Sequence, residues 1–138
     1  MIDHSQMLST LARADLPRIK AFAETLIDPL GDITVLESRT GLVMLPMRDT
    51  AGGTAFHLGE VLVSEAHICQ GATIGYGMRR GRDLEAAMAM ALIDLAVAND
   101  IEADACTAFC LHEAAVQAEQ DRQTLRRVEA TRVDMETF

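Results

Sequence analysis

The chain has 138 residues, enough for one domain (1–138) that buries roughly two thirds of its unfolded surface, and carries a net charge of −9. The charge is lopsided: residues 1–82 hold eight basic and nine acidic groups, whereas residues 83–138 hold four and twelve. An acidic half repels nucleic-acid phosphates and anionic membranes, which excludes both as primary partners.

The hydrophobic fraction is 49%, much of it Ala and Met, with no Trp, one Tyr and four Phe, so the core lacks large anchors. Eight Met leave room for a surface that repacks around a partner. The opening MIDHSQM has neither a basic nor an apolar leader segment. The longest uncharged apolar run, Ala86 to Ile93, falls short of the about 20 residues that a membrane span needs. Three cysteines, Cys69, Cys106 and Cys110, do not make a disulfide framework and suit a reducing compartment. A cytoplasmic protein is expected.

Met7, Leu8 and Leu11 form a short helical stripe ending near Ala14. Asp15 caps a second helix, Pro17 sits in its first turn, and Leu16, Ile19, Ala23, Leu26, Ile27 and Leu30 line its apolar face before Asp28-Pro29 and Gly31. From Ile33 the period becomes two. Ile33 to Glu37 reads as a strand, Arg39 to Gly41 as a tight turn and Leu42 to Met47 as its hairpin partner. Asp49 to Thr54 is a loop, Phe56 to Gln70 a long strand, and Gly71 turns the chain into Ala72 to Met78. In the long strand Val61 and Val63 alternate onto one face while Ala66 and Ile68 lie on the other, so a bulge near Ser64-Glu65 is expected.

The turn from Met78 to Asp83 carries three arginines and opens a helix, to Ala98, that is apolar on almost every side and must lie between layers. Asp83 is its expected cap. After Asn99-Asp100 a last helix runs from about Ala103 or Thr107 to Ala130, with a narrow stripe of Leu111, Ala115, Ala118, Leu125 and Val128. The residues beyond it alternate charged and apolar types, the pattern of an extended strand that docks on something. The order implies an α+β fold. It comprises a four-stranded antiparallel sheet of two hairpins, packed in two layers against two N-terminal and two C-terminal helices.

Candidate chemistry is sparse. Gly75-Tyr76-Gly77 followed by Arg79, Arg80, Gly81 and Arg82 resembles an anion cradle, but matches no phosphate-loop or dinucleotide spacing, and strand-to-helix turns use Gly for ordinary reasons. His57, His67 and Cys69 are the best metal candidates, although zinc wants a tighter set. Cys106 and Cys110 share a helix face while His112 points elsewhere, which reads as packing. Asp94 interrupts the apolar helix, so it either pairs with an arginine across a seam or marks a functional group. No catalytic constellation, metal site or cofactor is assigned.

Several segments together carry a resemblance. Gly41-Leu42-Val43, Gly59-Glu60, Gly75-Tyr76, Gly81-Arg82-Asp83, Ala91-Leu92-Ile93-Asp94 and Ala130-Thr131-Arg132-Val133-Asp134 look like the PhnG family of the bacterial carbon–phosphorus lyase pathway. The resemblance spans nearly the whole chain and is strongest from Gly41 to Asp94. It implies a subunit of a core complex with PhnH, PhnI and PhnJ. With PhnI, PhnH and PhnL, such subunits support transfer of an alkylphosphonate onto the ribose carbon of ATP, with loss of adenine. The family has no accepted catalytic residues of its own, and chemistry belongs to the partners. On this basis Gly41, Gly75, Tyr76, Gly81 and Asp94 are expected to be structural. Arg79, Arg80, Arg82, Asp83, Thr131, Arg132, Val133 and Asp134 are expected to face a partner of PhnI type. Self-association of the isolated chain is a further option.

Overall fold

A computed structural model describes residues 3–48 and 55–136, with side chains placed for 3–44 and 59–132. The elements are α1 (His4–Arg13), α2 (Leu16–Leu30), β1 (Thr34–Arg48), β2 (Ala55–Gln70), β3 (Thr73–Arg80), α3 (Leu84–Ala98) and α4 (Ala103–Glu136). The expected caps form: Asp15 accepts from the Arg18 amide at 3.1 Å, and Asp83 accepts from the Ala86 amide at 3.0 Å. Gly31, at φ 76°, ends α2 with its amide donating to the Ile27 carbonyl.

Among the described residues the sheet has three antiparallel strands in the order β1-β2-β3, not four. The expected turn at Arg39 to Gly41 is instead extended strand, with Arg39, Thr40 and Gly41 paired to Glu65, Ser64 and Val63. β2 is long enough to pair with the whole run from Thr34 to Arg48, so continuous ladder bonds outweigh the weak turn preference of Arg-Thr-Gly. The expected bulge at Ser64-Glu65 is also absent. Register shifts fall between Val35 and Glu37 and between Leu45 and Pro46. No correction is needed at Ser64 because Ser64, Ala66 and Ile68 share the buried helix-facing side. The Ser64 hydroxyl satisfies itself by donating to the Gly81 carbonyl at 2.6 Å.

Helix α3 lies directly on β3 and β2. A Cβ built on Gly75 would sit 2.5 Å from the Ala91 carbonyl oxygen and 2.8 Å from the Leu95 Cβ, and one on Gly77 would run into the Ala87 carbonyl. Only glycine allows that approach. Ala86, Ala87 and every residue from Ala89 to Ala96 are buried, so the all-round apolar helix is indeed covered on all sides. Its outer side meets α2, α1 and α4. Phe22 of α2 stacks on Phe109 of α4 at 4.7 Å.

α4 is rotated from the orientation its apolar stripe suggests. Cys106, Cys110, Glu113 and Gln117 face the body. Leu111, Leu125 and Val128 are 55%, 63% and 58% exposed, and Ala115 and Ala118 are exposed too. The polar residues win because they meet specific partners. Arg18 Nε and Nη2 donate to the two oxygens of Glu113 at 2.7 and 3.1 Å, and Gln117 Nε2 donates to the Thr10 carbonyl at 2.9 Å.

Gly77→Ala is expected to lower stability by about 1–3 kcal/mol or more through overpacking against α3. Gly41→Ala, with nothing within 4 Å of the added carbon, is expected to change it by less than about 0.5 kcal/mol. Urea denaturation of both variants checks the pair, and equal losses would contradict the packing. Arg18, by its hydrogen bonds, holds the Glu113 carboxyl below the ordinary carboxylate range against the effect of burial. That interaction stabilises the fold above the ordinary pKa of about 4.3 and is lost as pH falls through the lower native value. Thermal melts from pH 7 to pH 3 should therefore fall less steeply for Glu113→Gln than for the unaltered chain.

Candidate functional site

The β3–α3 corner gathers most of the candidate residues, but treats its arginines differently. Arg79 follows Gly75 and Gly77 on the helix-facing side of β3 and is 8% exposed. Its guanidinium donates to the carbonyls of Leu11 and Ala14, the latter at 2.8 Å, at the C-terminal end of α1. Burial lowers its pKa, while Asp83, Asp15 and Glu113 oppose that shift. Four orphan carbonyls end any helix, so a cation there is well placed. Arg80 and Arg82 are exposed. Asp83 is half-buried, and the Lys20 ammonium at 2.7 Å holds its carboxyl below the usual range. Gly81, at φ 96°, turns the corner and donates its amide to the Leu62 carbonyl at 2.9 Å.

Asp94, 5% exposed in the middle of α3, is paired, but not with an arginine. One carboxylate oxygen lies 2.7 Å from Nε2 of His4, and the other accepts from the Tyr76 backbone amide at 2.9 Å. An arginine is unnecessary because the seam beside Asp94 already offers an edge-strand amide and an imidazole on α1. Together Asp94 and Arg79 anchor α1 near its two ends.

The side of the sheet opposite α3 carries a polar cluster. Glu37, Glu65 and His67 place one potential ligand atom each within 4.8 Å of one another. His67 Nε2 lies 3.1 Å from Glu65, and its ring packs against Tyr76 with centroids 4.7 Å apart. Arg39 reaches both carboxylates, at 3.5 Å to Glu37 and 3.4 Å to Glu65. Burial, then the charge of Glu65, pushes the Tyr76 phenol up. The expected trio of His57, His67 and Cys69 is not what converges: Cys69 is absent from this group, and the His57 side chain lies outside the described residues. Charged residues at alternate positions of two strands, Glu37 and Arg39 facing Glu65 and His67, were the available signal. Cys106 and Cys110 are buried on α4, and burial pushes both thiols up to about 11, which leaves them unreactive at neutral pH.

A profile of the family described as "Phosphonate metabolism protein PhnG" matches residues 3–138. The chain belongs to the PhnG family. It is 32% identical over 131 residues to a protein of Rhizobium meliloti (strain 1021) named alpha-D-ribose 1-methylphosphonate 5-triphosphate synthase subunit PhnG. That similarity covers 93% of this chain and 83% of the relative.

The segments that suggest PhnG fall into two kinds. Gly75, Gly81 and Asp94 serve the β3–α3 seam and its corner. Gly41 is an open, extended position of β1 and not the turn expected of it. Thr131 to Asp134 belong to α4 and not to an extended tail, with the Thr131 hydroxyl donating to the Arg127 carbonyl at 3.0 Å. The side chains of Val133 and Asp134 lie outside the described residues. Helical continuation from Ala130 outcompetes the alternating pattern because a lone extended tail has no backbone partners, whereas each added helical residue closes one bond.

Asp94→Ala is expected to cost about 1–3 kcal/mol, because it strands the Tyr76 amide in a buried seam. His4→Ala is expected to cost less than about 1 kcal/mol, since the His4 side chain is 66% exposed and water replaces it. Paired thermal or urea melts test this ordering, and a His4→Ala loss as large as that of Asp94→Ala would contradict it.

Proposed function

We propose that this chain is a subunit without a catalytic site of its own in a cytoplasmic assembly that makes alpha-D-ribose 1-methylphosphonate 5-triphosphate from ATP and methylphosphonate. Its partners are subunits of the PhnI, PhnH and PhnJ types. The observation that carries the reading is the 32% identity, over 93% of the chain, to a relative named as a subunit of that synthase. The use of its polar residues supports it. Arg79, Asp83, Asp94 and Glu113 engage groups inside the fold, and two of the three thiols are buried among apolar residues. No helix among the described residues is long and apolar enough to cross a membrane.

The partner-facing surface we assign comprises Arg80 and Arg82 at the corner, with Thr131, Arg132, Val133 and Asp134 near the end of α4. Arg79 and Asp83 support it from beneath, one through α1 and the other through Lys20. Arginine forks suit desolvated interfaces, and a few such anchors dominate binding.

The isolated chain is expected to show no turnover of ATP with methylphosphonate, and the product should form only when the other subunits are added. Changing Arg80 and Arg82 to Ala should weaken co-purification with the PhnI-type subunit at least tenfold, about 1.4 kcal/mol, with a nearly unchanged melt. Turnover by a homogeneous preparation, lost on changing one residue of this chain, would refute the reading.

A further inference from the structure

Helix α4 spans 34 residues, yet every described position from Ala118 to Arg132 is exposed. A helix segment that length, without a packed face, is marginal in water. On the solvent side, at every seventh residue, stand Asp104, Leu111, Ala118, Leu125 and Arg132, all exposed. Seven residues fall about 20° short of two full turns, so these five form one stripe that drifts by about 80° from end to end, a drift that a left-handed supercoil of two helices takes up. The order along that line is antisymmetric about its centre: an acid and a base at the ends, a leucine inside each, and alanine in the middle.

We propose that this line is an isologous interface, with two copies of the chain pairing antiparallel through α4 about a two-fold axis at Ala118. Residues equidistant from Ala118 then meet. Leu111 packs against the partner copy's Leu125, Ala118 against the partner copy's Ala118, and Asp104 faces the partner copy's Arg132, each contact occurring twice. One rung off the line, Thr107 comes beside the partner copy's Val128, which is 58% exposed in the single chain. Alanine at the centre lets the helices approach closely. Charge fixes the direction. In a parallel pair Asp104 would face Asp104 and Arg132 would face Arg132, whereas the antiparallel pair sets each against its opposite.

The surroundings accept a second copy. The body of the chain packs on Cys106, Cys110, Glu113 and Gln117, roughly a quarter turn or more away from the line. The distal half of one α4 therefore runs beside the body of the other without displacing it. Next to Leu111, α1 and α4 border an open groove of about 470 Å³ lined by Ser5, Ser9, Leu111 and Ala114 among others, and the partner copy's Val128 comes to its α4 wall. Thr131 points about 100° away from Arg132 around the helix and stays outside the seam.

The purified full chain should run at twice its 15.0 kDa mass in light scattering at tens of micromolar. Leu125→Glu should return it to a single chain with a circular-dichroism melt of the body unchanged. Asp104→Arg alone should weaken the dimer at least tenfold, and Asp104→Arg with Arg132→Asp should restore it. In a Cys69→Ser background, mixing Leu111→Cys chains with Leu125→Cys chains should give a disulfide-linked pair, while neither alone should. A monomeric unaltered chain, or cross-linking of Leu111→Cys with itself, would overturn the proposal. The outcome is separable from the proposed function: a monomeric Leu125→Glu chain that still recovers the partner subunits leaves that function intact, and a dimer that recovers none counts against the function alone.

Discussion

The contact on which the rest of the structure depends is the approach of α3 to β3 at Gly75 and Gly77. No side chain separates helix from strand there, so the carbonyls of Ala87 and Ala91 lie where Cβ atoms would be. This closeness explains the small residues on both sides of the seam. It also explains why the helix is apolar all round: with the sheet on one side and α1, α2 and α4 on the other, it has almost no wet face. Asp94 is its one buried charge, and it can be tolerated because the seam brings the Tyr76 amide within 2.9 Å.

From that seam the polar anchors radiate outward. Asp94 and Arg79 hold α1, Arg18 and Glu113 join α2 to α4, and Lys20 ties α2 to the cap of α3. Among the described residues no buried side-chain nitrogen or oxygen lacks a hydrogen-bond partner. A core of Ala, Met and Leu with few aromatics gains limited packing energy from each side chain. In such a core the directional bonds specify which helix face turns inward. α4 shows this plainly: Glu113 and Gln117 go inside while Leu111 and Leu125 stay out.

Those polar choices mark the boundary of what the sequence makes readable. The capped helices were evident from Asp15 and Asp83, and so was the burial of α3. The β2–β3 hairpin was evident from Gly71, which adopts the left-handed conformation at φ 63°. The continuity of β1 through Arg39 to Gly41 was not, because local turn preference cannot register a 16-residue strand lying alongside. The facing of α4 was not, because hydrophobic periodicity counts leucines and cannot foresee Arg18 arriving at Glu113. At the candidate site, Arg80 and Arg82 lie at the surface as an interface would require, and Arg79 serves α1 instead. Nothing in the spacing of three adjacent basic residues separates one that alternates inward from two that do not.

The account divides the chain into a rigid seam and the surfaces it presents. Amide hydrogen exchange, followed in the isolated chain and in the chain assembled with its partner subunits, tests that division most directly. The amides of α3 from Met88 to Leu95 and of Tyr76 should exchange only through global unfolding in both states, with protection gained on assembly confined to the corner at Arg80 to Arg82 and to α4. Fast exchange along α3 in the isolated chain, slowed only by the partners, would contradict the account, because the seam would then be a product of assembly and not its foundation.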